Sequence, residues 1–247
     1  MPLIGNVLDV LFPQRCAGCT RGQWPFCSEC RNALVPLEAP WCERCGRPMD
    51  RPVAGCTDCP PEPITSARAP FLFAGPARSA ILRMKFSGWR GVGEALAAAM
   101  VVIGAHPGVE AVTWVPLARR RLAERGYDQA KVLATAAARG MNLPSVPLLR
   151  RMAATDPQAR RSAAERRAAM RGAFVSSARR VPRSVLLVDD VLTTGATASA
   201  CALALMSVGV REVHVLTAAR ALSAPSPRAY TRSGPRPGLW LPGDHPR

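Results

Sequence analysis

Long apolar runs are missing from this chain. No stretch of about 18 consecutive uncharged apolar residues occurs among its 247 residues, which argues against a membrane-spanning helix. The apolar start, Met1 to Phe12, has neither a basic beginning nor a small-residue cleavage site, so the pattern does not predict a secretory signal peptide. We therefore expect a cytoplasmic protein without a membrane span.

Aromatic residues and lysines are also scarce. Phe, Trp and Tyr make up 5% of the residues, so few rings are available to stack on nucleobases. The formal net charge is nevertheless +16, and residues 115–183 hold fifteen Arg and one Lys against four acids, a local net charge of +12. This Arg-rich region would attract phosphates, of a diphosphate or a nucleic acid, or an anionic membrane surface. An Arg-rich, Lys-poor composition is also typical of GC-rich coding, and a solvated surface is the simpler explanation for any single Arg.

Cysteine is concentrated near the N-terminus, where eight of the nine cysteines form four Cys-x-x-Cys pairs. Two thiolates at this spacing bind one tetrahedral metal from a single turn, and a second pair completes a four-sulfur site. Four pairs therefore predict two zinc ions, which would be structural because no ligand position stays open for water. Pairing in sequence order gives two successive zinc ribbons, and interleaved pairing is the alternative. The pairs are Cys16/Cys19, Cys27/Cys30, Cys42/Cys45 and Cys56/Cys59.

Other uses of these cysteines fit less well. A cytoplasmic chain lies in a reducing compartment, which disfavours disulfides. A redox dithiol or an iron–sulfur cluster can use similar spacings, but the duplicated ribbon-like pairs favour zinc. The remaining cysteine, Cys201, lies in an apolar helical stretch and is predicted to be a core thiol.

The stretch Val185 to Thr197 combines a strand, two acids and a hydroxyl-rich loop. Residues 185–188 form a continuous apolar run that is typical of a buried parallel strand. Asp189 and Asp190 follow at the carboxyl end, where ligands bind in open α/β sheets. The next loop supplies hydroxyls and free N–H groups at the start of a helix, which favours an anion. A simple N-capped turn is the alternative, but capping needs one hydroxyl and no pair of acids.

This stretch resembles the signature of type I phosphoribosyltransferases, which bind 5-phosphoribosyl-1-pyrophosphate (PRPP). The resemblance implies an α/β fold with a parallel sheet flanked by helices. It implies that Asp189 and Asp190 contact the ribose 2′- and 3′-hydroxyls and that magnesium accompanies the diphosphate. It assigns no catalytic residue and does not establish that transfer occurs. The residues that it assigns to the 5′-phosphate are Thr193, Thr194, Gly195, Ala196 and Thr197.

Further motifs narrow the resemblance to the ComF family of competence proteins. They are Lys85-Phe86-x-Gly88, Val115-Pro116-Leu117, Arg125-Gly126-Tyr127-x-Gln129-Ala130, Leu149-x-Arg151, Gln158, Glu165-Arg166 and Gly172-Ala173-Phe174, and with the cysteine module they span about Phe12 to Arg220. Asp128 and Ala169 depart from the family, in which Asn is frequent at both positions. The resemblance implies pyrophosphate or hood contacts from Lys85, Pro116, Arg125, Arg151 and Arg166.

Composition divides the chain into three expected parts. These are a small double zinc-ribbon module at 1–62, a type I phosphoribosyltransferase-like domain at 63–221 and a disordered Pro- and Gly-rich tail at 222–247. Pro60 to Pro63 is predicted to be an extended spacer. Residues 150–171 match the mobile hood of the phosphoribosyltransferases, and a plain amphipathic helix is the alternative.

Three functions fit these patterns. The first is a ComF-like factor for natural transformation, which binds PRPP or a related phosphosugar and handles incoming single-stranded DNA together with the DNA-uptake machinery. The second is an active phosphoribosyltransferase on an unidentified base, and the third is a zinc-ribbon adaptor that senses PRPP. The sequence carries no recognisable base-binding motif, so the base, the partners and the oligomeric state stay open.

Freshly purified protein is expected to contain two equivalents of zinc per chain, because eight paired thiolates fill two four-sulfur sites. Metal analysis by mass spectrometry, with a parallel thiol titration, measures the stoichiometry. One equivalent or none, with the thiols free, would contradict this prediction.

Overall fold

The computed structural model describes residues 15–104, 107–152, 172–176, 178 and 180–222. Arg166, most of the predicted hood and the predicted tail from residue 223 onward lie outside these residues. The helices are α1 (Ser28–Asn32), α2 (Gly75–Phe86), α3 (Gly91–Gly104), α4 (Arg119–Arg125), α5 (Gln129–Gly140) and α6 (Ala196–Met206). The strands are β1 (Ser66–Arg68), β2 (Phe71–Leu72), β3 (Ala111–Trp114), β4 (Arg150–Arg151), β5 (Phe174–Val175), β6 (Ser184–Leu192) and β7 (Glu212–Arg220).

A five-stranded parallel sheet forms the centre of the protein. Its strand order is β1, β7, β6, β3, and β2 continues alongside β7 after β1 ends. In register, β6 pairs Val185 with Val213 on one side and with Ala111 on the other. The short strands β4 and β5 form a separate antiparallel pair. Because all five strands run in one direction, the loops that follow them meet at a single edge of the sheet.

Both faces of the sheet are buried. Successive residues of β6 point to opposite sides, so Leu186 packs in a core with α2, α3 and α5, while Leu187 packs in a second core with α6. This burial on both faces explains why residues 185–188 form an unbroken apolar run. Cys201 of α6 is fully buried in the second core, as predicted. The predicted α/β class, a parallel sheet flanked by helices, is confirmed.

The zinc-ribbon segment belongs to the same packed structure. Phe26 is buried in the core that also contains Ile81 and Met84 of α2. Arg83 of α2 donates to the carbonyl of Ala17 at 2.5 Å. The residues between the two ribbons pair with β2, since the Leu72 N–H donates to the Val35 carbonyl at 2.8 Å.

The segment predicted as a spacer, Pro60 to Pro63, also makes close contacts. Ser199 of α6 donates its hydroxyl to the carbonyl of Glu62 at 2.5 Å. A Cβ built on Gly195 would lie 2.4 Å from the Cβ of Pro60, so the segment lies directly against the start of α6. The division at residues 62 and 63 stays a prediction, and the packing across it is extensive.

Strand β6 is longer than the apolar run that predicted it. The sequence indicated residues 185–188, whereas the strand continues through both acids to Leu192. Among the described strands, only β7 pairs with this extension, because the pairing with β3 ends at Trp114 and Val188. The acids therefore lie where one side of β6 has lost its neighbour. Within the described residues no helix combines the length and apolar character needed to cross a bilayer.

Candidate functional site

Two clusters of four cysteines lie in the N-terminal segment, and the pairing follows sequence order. Within each cluster the sulfurs all lie within 4.8 Å of one another. A tetrahedral site with Zn–S bonds of about 2.3 Å requires S–S edges of about 3.8 Å. The contacts Cys19–Cys27 at 3.8 Å and Cys42–Cys59 at 3.6 Å match that edge. The residues therefore fit two structural zinc ions, and interleaved pairing is excluded for these clusters. The clusters are Cys16/Cys19/Cys27/Cys30 and Cys42/Cys45/Cys56/Cys59.

Backbone donors support the thiolate form in the first cluster. The N–H of Cys27 donates to the sulfur of Cys16 at 3.3 Å. Burial raises the pKa of the Cys16 thiol, but the N–H donors of Cys27, Cys19 and Gly18 outweigh it and lower the pKa to about 6. Ligation requires the thiolate, so Cys16 is ready to bind a metal ion at neutral pH, whereas burial, followed by the neighbouring thiols, raises the pKa of Cys30.

The second ribbon is attached to the carboxyl edge of the sheet through Arg220, the last residue of β7. This side chain is only 2% exposed. It donates to the carbonyls of Cys45 and of Asp58, the latter at 2.6 Å. A cavity of about 340 Å³ separates the turn at Asp58 from Thr193 and Thr194. The second zinc ribbon thus forms one wall beside the predicted phosphate loop.

The two acids have different surroundings. Asp190 is 5% exposed, and its carboxylate forms an ion pair with Lys85 at 2.6 Å. The Nε2 amide of Gln129 donates to the other carboxylate oxygen at 3.1 Å. Asp189 is half-buried and accepts the backbone N–H of Asp190 at 2.8 Å. The structure thus joins Lys85, predicted as a pyrophosphate contact, to the predicted ribose acids.

This arrangement disfavours the ionised form of Asp189. Burial, followed by the charge of Asp190, raises the pKa of Asp189 well above its usual range. The charge of Lys85 acts in the opposite direction but does not compensate. Carboxylates with strongly shifted pKa values cluster at functional sites, which makes Asp189 a candidate ligand contact.

Asp128 explains one departure from the ComF pattern. It is the N-cap of α5, and its Oδ1 accepts the N–H groups of Ala130 and Lys131 at 3.0 and 3.2 Å. Its Oδ2 accepts the N–H of Leu117 at 3.0 Å. An Asn would place an NH₂ group opposite one of these donors, whereas a carboxylate accepts from both sides. Asp128 thereby fixes the loop that carries Pro116.

The predicted phosphate loop opens α6 at the same edge. Gly195 has a left-handed φ of 77°, and it is the N-cap residue of the helix. No side chain of the described residues caps this helix through its N-cap, and the Thr194 hydroxyl accepts only the Ala196 N–H, at 3.4 Å. Thr193 and Thr194 are exposed. The simple capped turn considered as the alternative is therefore not what the structure contains.

The other predicted contacts lie in two places. Arg125 ends α4, and its guanidinium lies 4.9 Å from the ring centre of Phe86, beside Lys85. Arg151 lies in β4, with its guanidinium 5.1 Å from the ring of Phe174, and no contact in the described residues joins it to the acid pair. Gln129 was not predicted as a site residue. The sequence places Gln129 directly after the N-cap of α5, which indicates only that it starts a helix. Its contact with Asp190 joins residues 61 positions apart and has no local sequence signal.

Comparison with known proteins agrees with this architecture. A family model described as a double zinc ribbon domain matches residues 7–60. Competence protein F of Haemophilus influenzae is 29% identical over 209 residues, which cover 79% of this chain and 90% of that protein. DNA utilization protein YhgH of Escherichia coli K12 is 28% identical over 211 residues, which cover 81% and 92%. The protein of the same name from Salmonella typhi is 28% identical over 209 residues, with the same coverage.

The fold and the two cysteine clusters define a class of protein, a parallel α/β sheet joined to an N-terminal double zinc ribbon. Within that class, the chain is similar to competence protein F and to the YhgH proteins over about four fifths of its length, which supports the resemblance to the ComF family.

Replacing Asp189 by Asn is expected to stabilise the free protein at neutral pH. Because the folded-state pKa is raised, the folded chain binds this proton more tightly than the unfolded chain does. The unfolding free energy therefore falls as the pH rises above the ordinary Asp pKa of about 4. Asn removes the charge and keeps an acceptor for the Asp190 N–H. We expect a gain of about 1 kcal/mol, since one pKa unit corresponds to about 1.4 kcal/mol.

Urea unfolding of parent and variant at pH 6 and pH 8 measures this effect. The exposed Asp50, changed to Asn, is the matched control and should leave stability unchanged. An Asp189→Asn protein that is less stable than the parent at both pH values would contradict the expected burial cost.

Proposed function

We propose that this protein binds PRPP or a related phosphosugar at the carboxyl edge of its sheet and handles single-stranded DNA in the cytoplasm during natural transformation. One observation carries the phosphosugar part of the proposal. The connection from β6 to α6 holds two acids, of which only Asp190 has a cationic partner among the described residues, next to a hydroxyl-rich helix start without a side-chain cap. Phosphoribosyl transfer stays a separate question, because no residue is identified as catalytic.

The two ends of this connection suit the two ends of a phosphosugar. Exposed hydroxyls and free N–H groups at the start of α6 favour a phosphate, assisted by the helix dipole. The carboxylates of Asp189 and Asp190 would repel a phosphate but accept hydrogen bonds from sugar hydroxyls. A ligand with a phosphate at one end and hydroxyls at the other satisfies both groups.

An orphaned acceptor supports a hydroxyl ligand near the acids. The Oε1 atom of Gln129 is buried and has no hydrogen-bond partner among the described residues, although the Nε2 atom of the same amide binds Asp190. Buried acceptors without partners are costly, so they are retained where a ligand or water completes them. A sugar hydroxyl would supply the missing donor.

Magnesium would accompany a diphosphate and neutralise its charge as it leaves the sugar. Lys85 is the cation that the chain itself holds at the acid pair. Its ammonium group, 2.6 Å from the Asp190 carboxylate, lies where it could also contact the diphosphate. These residues orient the ligand and balance its charge, which is the main requirement of a reaction that needs no protein nucleophile.

The DNA part of the proposal rests on the names of similar proteins and on the positive charge at the carboxyl edge. One relative carries the name competence protein F and others the name DNA utilization protein. Helix α4 follows β3 at the carboxyl edge and has no buried residue, so its arginines can reach phosphates, Arg120 by giving up its exposed ion pair with Glu124. The zinc ribbons would order the edge on which both ligands meet.

Changing both Asp189 and Asp190 to Ala is expected to weaken PRPP binding in the presence of magnesium at least tenfold. The change removes charge-assisted hydrogen bonds to the ribose, each worth about 1.5–3 kcal/mol. Thr194→Val should weaken binding separately, by removing a phosphate donor while keeping the shape. Isothermal titration calorimetry measures both effects, with Asp50→Asn as the control. A parent that does not bind PRPP at millimolar concentration, or a double variant that binds as tightly as the parent, would refute the site.

Single-stranded DNA binding is expected to weaken steeply with salt, since bound phosphates release counterions. Arg119 and Arg120 are exposed residues of α4 at the carboxyl edge. Changing both to Ala should make the slope of log K against log salt shallower by about 0.7 for each phosphate that the variant no longer binds. Fluorescence anisotropy measures the slopes.

The matched control removes the same charge at the opposite edge of the sheet. Arg183 and Arg211 are exposed and precede β6 and β7. Their double Ala variant should keep the parent slope. Binding that is independent of salt, or equal losses in both double variants, would favour an adaptor that senses the phosphosugar without handling DNA.

A further inference from the structure

Phe86 is the most exposed large apolar side chain in the described part of the chain, at 71%. It ends α2, directly after Lys85, which holds Asp190. Neither packing nor the proposed phosphosugar site accounts for a phenyl ring in water at this position.

The ring lines a half-open pocket on the surface. The cavity has a volume of about 610 Å³, within the range of about 300–1,000 Å³ that is usual for ligand sites. Arg125 places its guanidinium 4.9 Å from the centre of the Phe86 ring. The lining residues are Leu82, Lys85, Phe86, Gly88, Arg121, Glu124 and Arg125.

Three of the seven lining residues are cations, and only one of these three has an ion-pair partner among the described residues. Lys85 is paired with Asp190, and the acid of the cavity, Glu124, is paired with Arg120 at 2.9 Å. Arg121 and Arg125 form no ion pair with any described residue. Two guanidinium groups are thus available to an anion next to an exposed ring.

The combination suits an unpaired nucleobase with its flanking phosphates. Sites for single-stranded nucleic acids join a cationic groove to aromatic rings on which bases stack. Arg125 lies over the Phe86 ring as a cation–π partner. The Phe86 side chain is still 71% exposed, so a base can stack on the part of the ring that Arg125 does not cover. An apolar protein segment fits poorly, because Leu82 and Phe86 are the apolar side chains among seven lining residues. A duplex fits poorly as well, because its bases are already stacked on one another.

We infer that Phe86 is the stacking platform for one unpaired base of single-stranded DNA, and that Arg121 and Arg125 bind the adjacent phosphates. The inference rests on the proposed handling of DNA and gives it a location. Lys85 separates the platform from Asp190, so the base would lie next to the proposed phosphosugar site. The strand and the phosphosugar would then share one edge of the sheet.

The test compares two labelled oligonucleotides of about twelve nucleotides, an oligo-dT and an abasic strand of equal length and charge. Phe86→Leu should weaken oligo-dT binding about fivefold or more, because a stacked base is lost, and should leave abasic binding unchanged. Phe86→Trp should bind oligo-dT as tightly as the parent or more tightly. Val102→Ala, on an exposed apolar residue of α3 outside the cavity, should change neither affinity.

Fluorescence anisotropy gives the affinities, and zinc content together with PRPP calorimetry verifies that Phe86→Leu keeps the fold and the phosphosugar site. Equal losses for both strands, or no loss for oligo-dT, would overturn the stacking platform while leaving the proposed DNA function standing. Failure of the parent to bind either strand would overturn both.

Discussion

The buried guanidinium of Arg220 is the interaction on which the arrangement of this protein depends. It extends from the last residue of β7 into the second zinc ribbon, where it donates to the carbonyls of Cys45 and Asp58. A cation that is 2% exposed needs such acceptors, since an uncompensated buried charge is strongly destabilising. Those carbonyls belong to turns that bound zinc would hold. Zinc would therefore act beyond its own ribbon, on the carboxyl edge of the sheet.

A second contact, between Pro60 and Gly195, joins the zinc-ribbon segment to the predicted phosphate loop. Gly195 must be glycine for two reasons, a left-handed φ of 77° and the proximity of Pro60, whose Cβ would lie 2.4 Å from an added Cβ. The Pro60 segment directly follows the last zinc ligand, Cys59. The ribbon segment therefore supports the loop at Gly195, and the exposed Thr193 and Thr194 line the cavity that the ribbon turn at Asp58 also lines. In this account the ribbon serves as part of the site scaffold.

Local patterns in the sequence predicted the parts of the protein that depend on local physics. Cys-x-x-Cys spacing predicted the two metal sites, and the apolar run from Val185 predicted a strand buried on both faces. Spacing could not decide between sequential and interleaved pairing, which depends on the path of the chain. The strand was predicted too short because Asp189 and Asp190 interrupt the apolar pattern while pairing with β7 continues.

Contacts between distant residues could not be predicted in this way. Gln129 reaches Asp190 across 61 residues, and Arg220 reaches Asp58 across 162. Neither contact leaves a periodicity or a composition signal in the sequence. The proline segment indicated an extended spacer, because proline-rich chain of this kind is usually solvated, yet here it packs on Gly195. The role of Phe86 depends on its exposure, which a sequence pattern does not give.

Hydrogen exchange of the zinc-loaded and zinc-depleted protein tests most directly whether the ribbon holds the sheet edge. If it does, removal of zinc by a chelator will increase exchange at residues 193–197 and at the end of β7, together with the ribbon amides. The centre of β6, at residues 185–188, should stay protected, because it is buried in both cores of the sheet. Increased exchange confined to the ribbons, with residues 193–197 unchanged, would contradict the account.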